Sequence, residues 1–268
     1  MAGGVATHGG GAESGVACTG RGCLVKSEIY LSIVVPVYDE ADNLETLHAE
    51  LDQALAEVGG GVEFLYIDDG SHDGSVGVLL GLAKRDERVR VLCLEKNSGQ
   101  SAALEAGFKA ARGEIVATLD SDLQNDPADL PRLLAALDQA DVVNGVRANR
   151  QDTWVRKLSS HVGNGFRNRM TGESVTDVGC SLRVMRRSFL CNVKLHRGMH
   201  RFLPTLLRME GARLVELPVN HRPRLHGQSK YGIGNRLFVG LADVFAVRWM
   251  QSRRLSYQVQ ERDRADAP

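Results

Sequence analysis

Between residues 28 and 146 the apolar positions follow two alternating rhythms. Leu31–Val37 (LSIVVPV) is a short, continuous, β-branched apolar run, the signature of a buried strand. From Asp42 the spacing turns helical, with Leu44, Leu47, Leu51, Leu55 and Val58 on one stripe. Asp42 with Glu45 three residues on predicts a capping box, and Gly59-Gly60-Gly61 predicts the stop. The same alternation predicts strands at Val62–Ile67, Val89–Leu94, Ile115–Leu119 and Asp141–Val146. Helices are predicted at Ser75–Lys84, Ser101–Arg112 and Ala128–Gln139. Strands alternating with helices predict an α/β fold whose mostly parallel sheet is covered on both faces. In such sheets ligands bind beyond the carboxyl ends of the strands, which is where chemistry is to be sought.

The flanks read differently. Residues 1–27 hold 8 of the 29 glycines and few apolar residues, which predicts a disordered Gly-rich tail without a signal-peptide core. Residues 258–268 form a second polar tail. No run reaches the roughly 18–20 apolar residues that span a bilayer; Leu237–Val247 comes nearest and is interrupted by Asp243. Five cysteines (18, 23, 93, 180, 191), none at zinc-ligand spacing, point to a reducing compartment rather than a disulfide framework.

Composition is that of a globular protein, but the formal net charge of zero conceals a division. Residues 28–146 carry 23 acids and 8 bases, net −15; residues 147–257 carry 6 acids and 21 bases, net +15. The neutral total argues against a polybasic nucleic-acid binder. The division predicts a cation site in the first half and an anion-binding surface in the second, unless it only aids solubility.

Acidic clusters end three of the strands: Tyr38-Asp39-Glu40, Asp68-Asp69-Gly70-Ser71 and Asp120-Ser121-Asp122-Leu123-Gln124. Carboxylates gathered in one place repel unless a cation or hydrogen-bond donors compensate. Asp120 and Asp122 fall on one face of an extended segment, and Gln124 adds a neutral oxygen at the same spacing. That donor set suits Mg²⁺ or Mn²⁺. Ordinary capping of a turn is the competing role, and is the one expected of Asp42 and Asp126.

Taken in order, PVYDE, DDGS, NSGQSAALEAGFKAARGE and DSDLQNDP resemble a family 2 glycosyltransferase of the GT-A fold. The closest subgroup is the polyprenyl-phosphate hexosyltransferases, of the dolichol-phosphate mannose synthase kind. The resemblance covers about Leu31 to Arg254. It implies a GT-A nucleotide-diphospho-sugar transferase domain over 28–230 and an amphipathic interface helix within 231–257. Pro36, Tyr38, Glu40 and Asp69 match positions that hold the base and ribose of a nucleotide-sugar. Ser121 matches one at the sugar, and Asp120, Asp122 and Gln124 match the metal and diphosphate site. In the basic half, Arg147, Arg156 and Ser160 resemble an acceptor-phosphate site, for which the planar arginine fork is suited. Arg201, Arg224 and Lys230 match cations that close over the donor diphosphate. Asp177 to Arg183 (DVGCSLR) resembles a segment lining the catalytic centre, with Cys180 and Ser181 departing from the common pattern.

The implied reaction is metal-dependent inverting transfer of a hexose from a GDP- or UDP-linked donor, such as GDP-mannose, to a polyprenyl or dolichyl phosphate. Asp122, Arg147 and Arg156 would be its catalytic residues. A phosphate acceptor needs no general base, whereas a hydroxyl acceptor in cell-envelope glycan synthesis would want one, with Asp177 a candidate. Arg236, Arg248, Arg253 and Arg254 flank Leu237, Phe238, Leu241, Val244, Phe245, Trp249 and Met250. This pattern predicts a helix lying on an anionic membrane surface, or one packed in a core or dimer. A peripheral protein on the cytoplasmic face is implied, with a membrane subunit or a homo-oligomer as further options. Two remoter readings are a haloacid-dehalogenase-type phosphatase, disfavoured by Leu123 and the late position of Asp120, and a non-catalytic nucleotide-sugar-binding protein.

Overall fold

The computed structural model of the chain describes residues 28–148, 165–223 and 236–255. Seven strands form one sheet: β1 (Ile29–Val37), β2 (Gly61–Asp68), β3 (Val89–Cys93), β4 (Ile115–Thr118), β5 (Val142–Arg147), β6 (Arg183–Arg186) and β7 (Leu214–Val219). Their order across the sheet is β3-β2-β1-β4-β6-β5-β7. All run parallel except β6, which is antiparallel to both β4 and β5. The chain leaves β1 toward β2 and β3 on one side, then returns to β4 on the other. That reversal opens a crevice beyond the ends of β1 and β4.

The helices are α1 (Ala41–Leu55), α2 (Ser75–Arg85), α3 (Gln100–Ala110), α4 (Leu130–Ala135), α5 (165–171), α6 (Leu203–Met209) and α7 (Arg236–Ser252). The stripe predicted for α1 is its buried face: Leu44, Leu47, Leu51 and Leu55 pack with Leu31, Ile33, Val35 and Phe64 on one side of the sheet. Side chains of opposite parity, Val34, Leu65 and Ile67, turn to the other side and pack with Leu104 and Phe108 of α3 and Leu203 and Leu207 of α6. The β-branched runs therefore bury both faces, as a central parallel sheet requires.

Several boundaries differ from those the sequence predicts. No capping box forms at Asp42, because α1 begins one residue earlier, after Glu40. Its first amides are satisfied from outside the helix: Ala41 N–H donates to Asp73 Oδ2 (2.9 Å) and Glu40 N–H to Ser75 Oγ (3.0 Å). Glu45 instead pairs with Arg85 at 2.5 Å. The helix predicted at Ala128–Gln139 is a short α4 between two 3₁₀ turns, with a proline in its first turn. Asp126 does cap, accepting the Ala128 N–H at 3.1 Å. The sequence also shows no sign of β6, β7 or α6. The four-residue β6 reads as a loop until its partners are known. Residues 1–27 and 256–268, and the stretches 149–164 and 224–235 that hold Arg156, Ser160, Arg224 and Lys230, lie outside the described residues.

Candidate active site

A cavity of about 410 Å³ sits at the β1/β4 reversal. Pro36 from the end of β1, Thr118 to Asp120, Asp122 and Gln124 from the end of β4, and Gln100 and Leu104 from α3 form one wall. Arg147, Val178 to Ser181, Arg183, His200 and Arg201 form the other. The acidic and basic halves of the chain thus contribute to the lining of one cavity.

On the acidic wall, Asp122 is buried, with Oδ1 accepting the Gln124 N–H at 3.2 Å. Asp120 Oδ1 accepts from Gln100 Nε2 at 2.6 Å, and its carboxylate is also bonded by the Ser181 hydroxyl. That hydroxyl in turn accepts from Asn125 Nδ2 at 2.8 Å. Burial first, and the charge of Asp122 second, push the Asp120 carboxyl up to about 6. Between the carboxylates and Gln124, Leu123 adopts a left-handed backbone (φ 60°) with its side chain in the core. A leucine held there is strained, and the buried side chain keeps the tight turn in place.

A half-buried Asp120 whose charge is disfavoured by burial and by the buried Asp122 beside it, with Gln124 in the same cavity lining, fits an oxygen-seeking divalent cation. Among the described residues no three acidic, histidine or cysteine side chains gather closely enough to hold a metal by themselves. The donor set therefore fits a cation completed by water and substrate phosphate oxygens, the usual arrangement for Mg²⁺.

On the basic wall, Arg147 makes a forked pair with Asp177, Nε to Oδ2 at 2.7 Å and Nη2 to Oδ1 at 2.8 Å. Asp177 also accepts the Gly179 N–H at 3.1 Å. A Cβ at Gly179 would come within 2.7 Å of Arg147 Nη2, so glycine lets the guanidinium lie against the backbone. Arg183 is buried and spends its donors on Asn144 Oδ1 (2.8 Å), the Val178 carbonyl (2.8 Å) and the His200 carbonyl (3.1 Å). It ties the segments at both ends of this wall together. His200 Nδ1 bonds the Ser101 hydroxyl at 2.9 Å. Burial, then the charges of Arg201 and Arg183, push its imidazole down to about 3, so the ring is neutral at physiological pH.

Of the residues singled out from the sequence, Pro36, Asp120, Asp122, Gln124, Arg147 and Arg201 line this cavity together. Tyr38, Glu40, Asp69 and Ser121 are not among its lining residues. Glu40 accepts from Asn43 Nδ2 at 2.5 Å in the first turn of α1. Asp69 is buried and accepts the Ser98 and Gly99 N–H groups at 2.7 and 2.8 Å. Gly70, with φ 74°, lets the turn after Asp69 meet Asn97, whose N would lie 2.7 Å from a Cβ there. Arg156, Ser160, Arg224 and Lys230 are outside the described residues.

His200 enters the site from outside every motif. Gln100 comes from the Asn97–Gln100 turn, expected to shape the pocket floor through its backbone or to be a plain loop, and its side chain does the contacting, while Arg183 closes the Asp177–Arg183 segment. Arg222 is a further addition. It donates to both oxygens of Glu50 (2.9 and 2.8 Å) and to Asp126 Oδ1 (2.7 Å), and its N–H donates to the Gln124 carbonyl at 2.8 Å. With the Asn125–His221 bridge, this fastens the segment after β7 to the D-x-D loop. No signal within the chain pairs positions so far apart.

Comparison with known proteins agrees with this architecture. Residues 32–193 match the family model "Glycosyl transferase family 2". Undecaprenyl-phosphate 4-deoxy-4-formamido-L-arabinose transferases from Edwardsiella ictaluri and Aeromonas hydrophila subsp. hydrophila are each 41% identical over 206 residues, 76% of this chain. The match spans 63% of the length of those relatives. Among solved structures, glucosyl-3-phosphoglycerate synthase from Mycobacterium tuberculosis superposes with a TM-score of 0.60 at 19% identity, covering 83% of this chain and 80% of that one. At that identity the likeness speaks for the fold, which is GT-A. With the family model covering more than half of the sequence, the chain belongs to glycosyl transferase family 2.

Proposed function

We propose that the chain is an inverting glycosyltransferase that moves a sugar from a UDP-linked donor to the phosphate of a polyprenyl lipid carrier, with Mg²⁺ or Mn²⁺ bound. The observation that carries this reading is the cavity itself, lined by the Asp120 and Asp122 carboxylates together with Arg147, Arg183 and Arg201. The names of the relatives at 41% identity support undecaprenyl phosphate as the acceptor. Solved structures of the fold neighbour with Mn²⁺ and UDP-glucose support a uridine donor and a divalent metal.

A bound divalent cation supplies positive charge to the leaving diphosphate. Asp120, Asp122 and Gln124 are the residues that would hold it. Arg201, on the opposite wall, adds charge stabilisation to the same diphosphate, and Pro36 borders the donor at the end of β1. Tyr38, Glu40 and Asp69 build the nucleotide side, with Asp69 acting through the loop it holds; Ser121, with its short side chain, leaves room at the sugar end. Arg224 and Lys230 complete the donor cations in this reading. Arg147, Arg156 and Ser160 orient the acceptor phosphate. Holding the nucleophile in line is worth more here than removing a proton, because a phosphate monoester is already ionised near neutrality. The site is consistent with that economy. The neutral His200 is a weak base, and both Asp177 oxygens are committed to Arg147.

The test is a panel of UDP-glucose, UDP-4-deoxy-4-formamido-L-arabinose and GDP-mannose against undecaprenyl phosphate and plain sugar acceptors, with and without Mn²⁺. Release of UDP coupled to formation of a lipid-linked sugar is expected. Transfer only to hydroxyl acceptors would sink the phosphate reading, and release of inorganic phosphate would replace it with a phosphatase.

A lipid acceptor also gives α7 a role. Its inner face, Val244 and Val247, packs on Met199 and Phe202, next to the His200 and Arg201 of the cavity wall. Its outer face leaves Phe245 56% and Trp249 63% exposed, with Arg248, Arg253 and Arg254 exposed beside them. No helix among the described residues is long and apolar enough to cross a membrane. We place α7 on the surface of an anionic leaflet. The free cysteines 93, 180 and 191 agree with the cytoplasmic face. The full chain is expected to sediment with phosphatidylglycerol vesicles. A Phe245→Ser/Trp249→Ser variant is expected to lose about 100-fold or more in partitioning, since each large apolar side chain contributes about 1.5–3 kcal/mol when buried. Wild-type protein that stays in the supernatant with anionic vesicles would refute the assignment.

A further inference from the structure

Gln100 stands between the two acidic strand ends. It opens α3, and its Nε2 donates to Asp120 Oδ1 at 2.6 Å inside the cavity. The loop that delivers it is fastened from behind. Asp69, buried at the end of β2, accepts the N–H groups of Ser98 and Gly99, the two residues immediately before Gln100. Asp69 N–H in turn donates to the Val37 carbonyl at 2.8 Å, which ties this anchor to β1. On its other side Asp120 is met by the Ser181 hydroxyl, itself fixed by Asn125.

The donors around Asp120 are neutral. An amide and a hydroxyl orient a carboxylate without cancelling its charge, as a paired guanidinium would. The neighbouring arginines are directed elsewhere, Arg147 to Asp177 and Arg183 to Asn144 and two carbonyls. A carboxylate so held is oriented without being tied up in an ion pair, which is what cation binding requires of its supporting hydrogen bonds.

We infer that Gln100 is a positioning residue for the cation site, aiming Asp120, and that Asp69 acts on the same site through the 98–99 loop. The inference rests on the metal-dependent reading proposed above and extends it to residues outside the proposed metal-ligand set.

The experiment is a Mn²⁺ titration of the full chain in the presence of UDP, followed by electron paramagnetic resonance, for wild type, Gln100→Met, Asp69→Asn and the double variant. Gln100→Met preserves the side chain's length and removes its donor; Gln100→Ala serves as a second substitution should methionine perturb folding. The single Gln100 variants are expected to weaken Mn²⁺ binding about 10–100-fold with the thermal unfolding midpoint unchanged. Turnover is expected to recover when Mn²⁺ is raised in proportion, which a general structural defect would not allow. Adding Gln100→Met to Asp69→Asn is expected to weaken binding less than it does in wild type, because both act through one contact. Wild-type Mn²⁺ affinity in the folded Gln100 variants would overturn the inference and leave the metal reading standing. A wild-type chain that binds no Mn²⁺ with UDP would overturn both.

Discussion

Asp122→Asn is expected to lower sugar transfer by about 10³-fold or more, close to 4 kcal/mol of barrier, while the protein becomes no less stable. Both halves of that result follow from one feature. Asp122 is buried beside Asp120, and its charge helps to push the Asp120 carboxyl up to about 6. Without a cation the pair is a liability to the fold, because like charges taken out of water each disfavour the other. Asparagine retains the shape and the oxygen that accepts the Gln124 N–H, but it removes the repulsion. The folded state then gains, and the site loses half of the charge that holds a divalent cation. Such opposition between stability and activity is expected where a site is built from mutually unfavourable groups. Initial rates of UDP release at saturating Mn²⁺ and a thermal melt without metal measure the two effects. A variant within tenfold of wild-type turnover would remove Asp122 from the site. A variant that melts well below wild type would mean that the partners of the Asp122 carboxylate outweigh the repulsion.

The sequence displays this site unevenly. Leu31 to Val146 is legible because a buried parallel strand must be apolar on both faces and α1 on only one, so the periodicity changes at each boundary. The acids at the strand ends stand out because they follow directly on apolar runs. What the sequence hides is pairing. Asp69 looks like a ligand residue beside Asp68, yet its oxygens are used by the N–H groups of residues 98 and 99, and backbone amides leave no mark on composition. Arg183 looks like one basic residue among many, yet it is buried and saturated because Asn144 and two carbonyls converge on it. β6 is hidden for the same reason. Four residues between β4 and β5 become a strand only once both neighbours supply their ladders. The capping box failed because Asp73 and Ser75, far along the chain, reach the α1 terminus first.

The largest stability effect is expected at Asp177. Its carboxylate is 7% exposed, holds the Arg147 fork by two short bonds, and accepts the N–H groups of Gly179 and Arg147. Asp177→Ala strands a guanidinium that is itself only 19% exposed and leaves two backbone donors without that acceptor. Breaking such a pair from one side costs about 3–5 kcal/mol, which for a chain of this size lowers the unfolding midpoint by roughly 6–20 °C. Removing both partners is different. Arg147→Met with Asp177→Leu replaces two buried charges by apolar volume, and stability is expected to return to within about 1–2 kcal/mol of wild type. Activity is not expected to return with it, because the proposed acceptor-phosphate site has then lost one of its cations. Comparing the single and double variants by thermal melts, and by kcat/KM toward undecaprenyl phosphate, separates the two roles of the pair. If the double variant regains both stability and transfer, Arg147 is scaffolding and the acceptor phosphate is held elsewhere. If Asp177→Ala melts like wild type, the pair is too well solvated to fix the wall. If stability returns and transfer does not, the pair is the place where the fold's own electrostatics are used to present a cation to the acceptor.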